Sequence, residues 1–219
     1  MKLRLAVLSV LLLASACGST TGYGTIVSST PVPAPAPTTS AAPVLKDVPT
    51  ETHTGKGDGE FATTWPADQL GFFTFECPKC SANVMVDTDG GEFSLVNAIG
   101  KYKGTTWLNT EPDRPTTKVT VHADAAWTAT IADYRSVLVA AAGATASGKG
   151  DAVLRIPEGV THVKFTAKTR GNVALWVRSE DLHDLLVNEI GDVDVDREVR
   201  GPTYLKVEGY EASWTVTPS

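Results

Sequence analysis

Apolar and polar positions alternate with a period of two through most of the chain after residue 55. AVLRI (152–156), HVKFTA (162–167), NVALWV (172–177), YLKVE (204–208) and ASWTVT (212–217) are short runs rich in Val, Phe, Trp and Thr, cut by the turn-forming PEG, TRG, SED, GPT and EGYE. Helical periodicity is not sustained anywhere in this region. The pattern predicts an all-β protein built from antiparallel sandwiches of jelly-roll-like form. Two other patterns precede it: a continuous apolar run from Leu5 to Ala14, and a stretch from Gly18 to about Val48 that is poor in charge and rich in Thr, Ser, Ala and Pro.

The strand pattern is written twice. GDGEFATTWP (57–66) aligns with GKGDAVLRIP (148–157) at an offset of 91 residues, and LVNAIG (95–100) meets LVNEIG (186–191) at the same offset. AAWTATI (125–131) answers ASWTVTP (212–218). Three matching blocks in one order point to two homologous modules, 51–138 and 148–219, joined by a small-residue linker over 139–147. A module of roughly 70 to 80 residues buries a modest core, so the two are expected to pack together or to depend on sheet closure.

Lys2 and Arg4, the apolar run and the small residues that follow have the layout of a secretory signal over residues 1–16. The run is too short to span the roughly 30 Å hydrocarbon core of a bilayer. Ser15 and Ala16 before Cys17, then Gly18 and Ser19, resemble the lipobox of bacterial lipoproteins, with Ala14 where a large aliphatic residue is usual. The resemblance implies diacylation of Cys17 and an anchor on the outer face of the cytoplasmic membrane. Two acyl chains at about 0.8 kcal/mol per buried CH₂ suffice for stable attachment. The following segment, read as a tether over 17–50, contains PVPAPAP and favours extended polyproline geometry, reaching on the order of 90 Å over some thirty residues. Removal of Lys2 and Arg4 from the 19 basic residues leaves 17 against 25 acidic ones, a formal charge of −8. With no basic stripe, nucleic acid is not an expected partner.

The order of G-x-G-[DE], an FTF or VKF strand, NVMV or NVALWV, LVN-x-IG and a terminal A-x-W-T resembles a small β-rich module of exported actinobacterial lipoproteins. That resemblance implies fold and location and brings no assigned activity.

The chemistry on offer is sparse. Cys77-Pro-Lys-Cys80 lies between strand-like flanks, without the helix N-terminus of a redox CxxC or the further ligands of a zinc site. A disulfide stapling a hairpin tip is expected, and it leaves Cys17 as the odd, lipid-bearing cysteine. Asp192, Asp194, Asp196 and Glu198 in DVDVDRE share one face if they form a strand, a set of hard oxygens suited to Ca²⁺ or else a plain solvated face. At offset 91, Lys101 and Lys103 stand where the second module has Asp192 and Asp194, which suggests charge pairing between modules. Trp127 and Trp214 are equivalent core residues. Trp65, Trp107 and Trp176 have no tryptophan counterparts, and they are the candidate sugar-stacking platforms or, alternatively, packing contacts with the sister module. Asn97 and Asn188 of LVN-x-IG are expected in turns.

The histidines at 53, 122, 162 and 183 recur in neither copy, and no nucleophile elbow or HExxH motif is present. The expectation is a non-catalytic lipoprotein whose paired modules bind a wall glycan or an exported protein. The alternatives are a structural subunit of an envelope complex and a secreted hydrolase.

Overall fold

The structure, a computed structural model, describes residues 46–179 and 182–219; the leader, Cys17 and the tether as far as residue 45 lie outside the described residues. The first module contains β1 (Glu51–Lys56), β2 (Gly59–Ala62), β3 (Gly71–Cys77), β4 (Asn83–Thr88), β5 (Ser94–Ile99), β6 (Tyr102–Leu108), β7 (Lys118–His122) and β8 (Ala126–Ala132). Its two sheets run β1-β8-β3-β6 and β2-β7-β4-β5. The second contains β9 (Leu138–Val139), β10 (Ala146–Lys149), β11 (Ala152–Ile156), β12 (His162–Lys168), β13 (Asn172–Arg178), β14 (His183–Ile190), β15 (Val193–Glu198), β16 (Thr203–Glu208) and β17 (Ser213–Pro218). Its sheets run β10-β17-β12-β15 and β14-β13-β16-β11-β9. Apart from the added parallel β9, both modules have one strand order, that of an eight-stranded jelly roll.

Alternation along the strands fills each core from both sheets. Phe73, Phe75, Val84, Val86, Val121, Ala129 and Ile131 meet inside the first module. Phe165, Val173, Leu175, Val177, Leu205, Val207 and Val216 meet inside the second. A β-bulge puts the extra residue Leu95 in β5, against Val86 and Asp87 of β4, and Leu186 in β14, against Leu175 and Trp176 of β13, so even this irregularity is duplicated.

One part of the sequence alignment is corrected by the strand pairing. Gly55 faces Trp127 and Gly148 faces Trp214 across the sheet, so GKGD at 55–58 is the counterpart of GKGD at 148–151, an offset of 93 and not 91. Each residue of this motif has a reason. The indole lies over the first glycine so closely that a Cβ there would sit 2.3 Å from Cζ2 of Trp127 or Trp214. The second glycine, Gly57 or Gly150, has φ of 74°, and its carbonyl accepts the indole N–H at 2.9 or 2.8 Å. The offset of 91 holds for LVN-x-IG, but Asn97 and Asn188 lie in β5 and β14, not in turns. The turns fall on Gly100 and Gly191, whose φ values of 84° and 93° favour glycine.

The cysteines form the expected disulfide, both sulfurs being buried. It closes the arch that carries the chain from β3 in one sheet to β4 in the other, and not the tip of a hairpin within one sheet. Residues 46–50 pack on the first module. Val48 touches its core and donates its N–H to Asp133, which also receives bonds from Arg135 at the start of a 3₁₀ turn (Tyr134–Ser136).

Gly148→Ala is expected to destabilise residues 42–219 by about 2 kcal/mol through overpacking against Trp214, and Gly55→Ala similarly. Urea unfolding of both variants, with the exposed Lys149→Ala as control, checks this. Hydrogen bonds from Arg135 and then Val48 outweigh burial and hold the Asp133 carboxyl at about 2. Its folded value is depressed, so the stability it gives is complete above about 4 and is lost as pH falls through about 2. Asp133→Asn should therefore lower the melting temperature at pH 6, and the difference from the native chain should shrink towards zero at pH 2.

Candidate functional site

The outward face of β1-β8-β3-β6 lies against the outward face of β14-β13-β16-β11-β9, and the seam between them gathers the chemistry of the molecule. The pleat puts Phe72 and Trp107 side by side on the first face, and Trp176 beside Lys206 on the second. At one end Phe72 packs with Val137 and Val153, its ring 5.0 Å from that of Tyr204, a phenol pushed up to about 12 by burial.

In the middle Lys206, only 9% exposed, holds its ammonium 4.7 Å from the Trp107 ring centre and 5.7 Å from that of Trp176. Glu208 neutralises it with one carboxylate oxygen and accepts the Trp176 indole N–H at 2.8 Å with the other. A buried ammonium thus has a counter-ion and two aromatic faces, the conditions under which burying a charge is tolerable. His183 closes the cluster, edge-on to Trp107 at 5.4 Å and tilted against Trp176 at 5.7 Å. Burial, then the Arg178 and Lys206 cations, press its pKa below the ordinary value.

Two polar ties flank the cluster. Tyr102 rises from the first core and donates to Asp151 at 2.7 Å. Burial and that carboxylate push the phenol far above its usual range. Gly104 makes the passage possible, since a Cβ there would lie 2.4 Å from the Tyr102 oxygen and 3.0 Å from the Asp151 Cβ. The other Asp151 oxygen accepts from Gly209 N–H, and its carbonyl accepts from Thr105 N–H at 3.1 Å. Arg178 donates to the carbonyl of Thr110, whose own N–H and hydroxyl are held by Glu92.

The candidates singled out in the sequence fall in different places. Trp65 is 4% exposed, in the first core, donating to Gln69 O. Trp107 is 3% exposed in the seam, so neither presents a platform to a sugar. Trp176 stands on the face opposite Val173, Leu175 and Val177, as its phase predicts, but it is half-buried by the seam. Asp194, Asp196 and Glu198 do share the outer side of β15, and with Asp192 they are spread along it instead of converging. Asp192 pairs with Lys168, Asp194 with Lys164 and Glu198 with Arg200, and no acidic or histidine cluster suited to a metal occurs among the described residues. Charge pairing between modules is overturned: Lys103 pairs with Glu76 of its own module, and Asp192 and Asp194 pair with lysines of theirs. Those side chains point outward beside their own neighbours on adjacent strands. His53 stacks on Phe61 and faces Glu51, His122 faces Asp58, and His162 meets Thr161, each away from the seam.

Sequence reasoning missed Lys206, Glu208, Asp151 and Tyr102. A glycine inside the strand YKGTTWL and a lysine between Leu205 and Val207 were the signals: the first marks a close approach, the second an outward face.

The fold and seam define a tandem jelly-roll protein with its two modules joined face to face. No family model and no curated protein matches the chain. Among solved structures, a conserved protein of unknown function from Pseudomonas aeruginosa PAO1 is similar over 76% of each chain at 12% identity, with a TM-score of 0.24.

Trp107→Ala is expected to cost about 4 kcal/mol and lower the melting temperature by roughly 10 °C. Acrylamide quenching should show Trp176 newly open to solvent. An unchanged melting temperature would mean that the seam does not support the fold.

Proposed function

We propose that this protein is a non-catalytic, lipid-anchored lipoprotein of the cell envelope that uses its paired jelly-roll modules to bind another exported protein. The observation that carries this reading is the division of apolar residues between seam and surface. The tryptophans, the side chains best suited to stacking on sugars, are taken up by the core and the seam. Of the exposed large apolar side chains, Phe93 and Tyr210 are aromatic, and the aliphatic ones, Ile99, Leu138, Val139, Leu182, Leu185 and Ile190, sit on or beside the end strands β5, β9 and β14. Such positions suit contact with another polypeptide better than with a glycan. The lipobox around Cys17 and the Pro/Ala tether support an anchored, stand-off presentation.

Chemical cross-linking of the full chain in an exporting bacterium, followed by purification, should recover one defined polypeptide in fixed ratio. Protein-free cell wall should not retain residues 42–219. Saturable sedimentation with stripped wall, weakened by Trp176→Ala, would instead assign glycan binding.

A further inference from the structure

The duplicated LVN-x-IG strand ends a sheet in both modules, and fewer of its residues are buried in the second. In β5, Leu95, Val96 and Ala98 are buried, while Ile99 is 69% exposed and Phe93, just before the strand, 74%. In β14, at the end of its sheet, only Val187 is buried; Leu185 is 36% and Ile190 84% exposed, and Leu182 just before the strand is 47% exposed. β14 is also the longest strand of the described residues, at eight residues. Two of its polar main-chain groups have makeshift partners. Leu185 N–H bonds to the neighbouring Asp184 side chain, and Leu186 C=O accepts from Arg197, reaching over from β15. Natural edge strands are commonly guarded by lysine or proline. β14 has neither.

Its charge has one sign. Residues 183–198, which contain β14 and β15 at adjoining edges of the two sheets, carry six carboxylates and one guanidinium, that of Arg197. Lys168, Lys164 and Arg200 neutralise Asp192, Asp194 and Glu198. Asp184, Glu189 and Asp196 have no ion-pair partner among the described residues. An open, partly apolar edge lined by unpaired carboxylates is complementary to an extended strand that alternates apolar and cationic residues.

We infer that β14 is a docking edge for an extended, apolar and cationic segment of a partner protein, which adds as a strand to β14-β13-β16-β11-β9. The inference rests on the protein-binding reading above and names its surface and the chemistry of its partner. Arg197 would release Leu186 C=O to the incoming strand. Leu185, Asn188 and Ile190, on one face of β14, would flank its apolar side chains.

The test uses residues 42–219, a single compact unit that holds both cores and the disulfide. The probes are an eight-residue peptide alternating Val and Lys and its Val/Glu counterpart. The Val/Lys peptide should bind saturably and slow amide exchange in β14 but not in β5. Binding should be at least tenfold weaker for Val/Glu, and for the Leu185→Lys/Ile190→Lys variant with unchanged circular dichroism. Exchange mapping of the native sequence stands by itself if that variant does not fold. Protection outside β14, or equal binding of both peptides, overturns the inference. A cross-linked polypeptide retained undiminished by the Leu185→Lys/Ile190→Lys full chain would overturn the docking edge and leave the protein-binding reading standing. If no polypeptide is cross-linked at all, both fall.

Discussion

A β-sheet has two faces, and in a sandwich of some eighty residues only one face of each sheet is dried by the module's own core. The seam is where this chain dries a second face on each side. Trp107 and Phe72 from one module meet Trp176, Lys206, Tyr204 and Val153 from the other. The contact is more specific than apolar burial alone. Lys206 must keep Glu208 and its two indoles, and Asp151 must keep both Tyr102 and Gly209 N–H, or a buried polar group is stranded. These demands are met in one relative placement of the modules. The compactness of residues 42–219 as one unit follows from them.

Duplication supplied two copies of every face, and divergence decided which copies stick. On the first module's outer face Phe72, Thr105 and Trp107 look towards the seam. At the equivalent places on the second module stand His162, Asp196 and Glu198. On the other pair of faces, Trp176, Lys206 and Tyr204 correspond to Asp87, Thr120 and Lys118 of the first module. The free faces are therefore polar, like the terminal caps of repeat proteins, and a head-to-tail series stops at two. The GKGD motif shows the same economy. Asp58 and Asp151 each accept a backbone N–H from the loop preceding the tryptophan strand, and only Asp151 extends its second oxygen to a tyrosine of the other module.

The edges diverged as well. Both copies leave the isoleucine of LVN-x-IG exposed, but β5 buries Leu95, Val96 and Ala98, whereas β14 buries Val187 alone and runs beside an acidic β15. Keeping an edge open is hazardous for a protein that has no use for it, because unpaired strand groups recruit other strands. The acidic charge around it limits self-association, since an antiparallel copy of β14 would bring Asp184 and Glu189 against their like.

Period-two alternation and the turn residues fixed the all-β class and the strand positions, because side-chain direction in a strand depends only on odd or even place. Repetition marked two modules, and the phase of Trp176 placed it on the outer face. The spacing of Cys77 and Cys80 implied their bond, because two thiols so close in an extended arch have few other partners. The tertiary structure alone decided what those outer faces do. The alignment of GKGD needed strand pairing, since a glycine is placed there by an indole some seventy residues away. For Trp107 the sequence favoured a packing contact over a platform without naming its partner, because burial on an outer face depends on what the other module brings. Lys101 and Lys103 suggested charge pairing between modules that geometry denies them, while Lys206, unmarked by any motif, became the buried cation of the seam. A sequence states the chemistry of each position; whether water reaches it is settled by residues distant in the chain and adjacent in space.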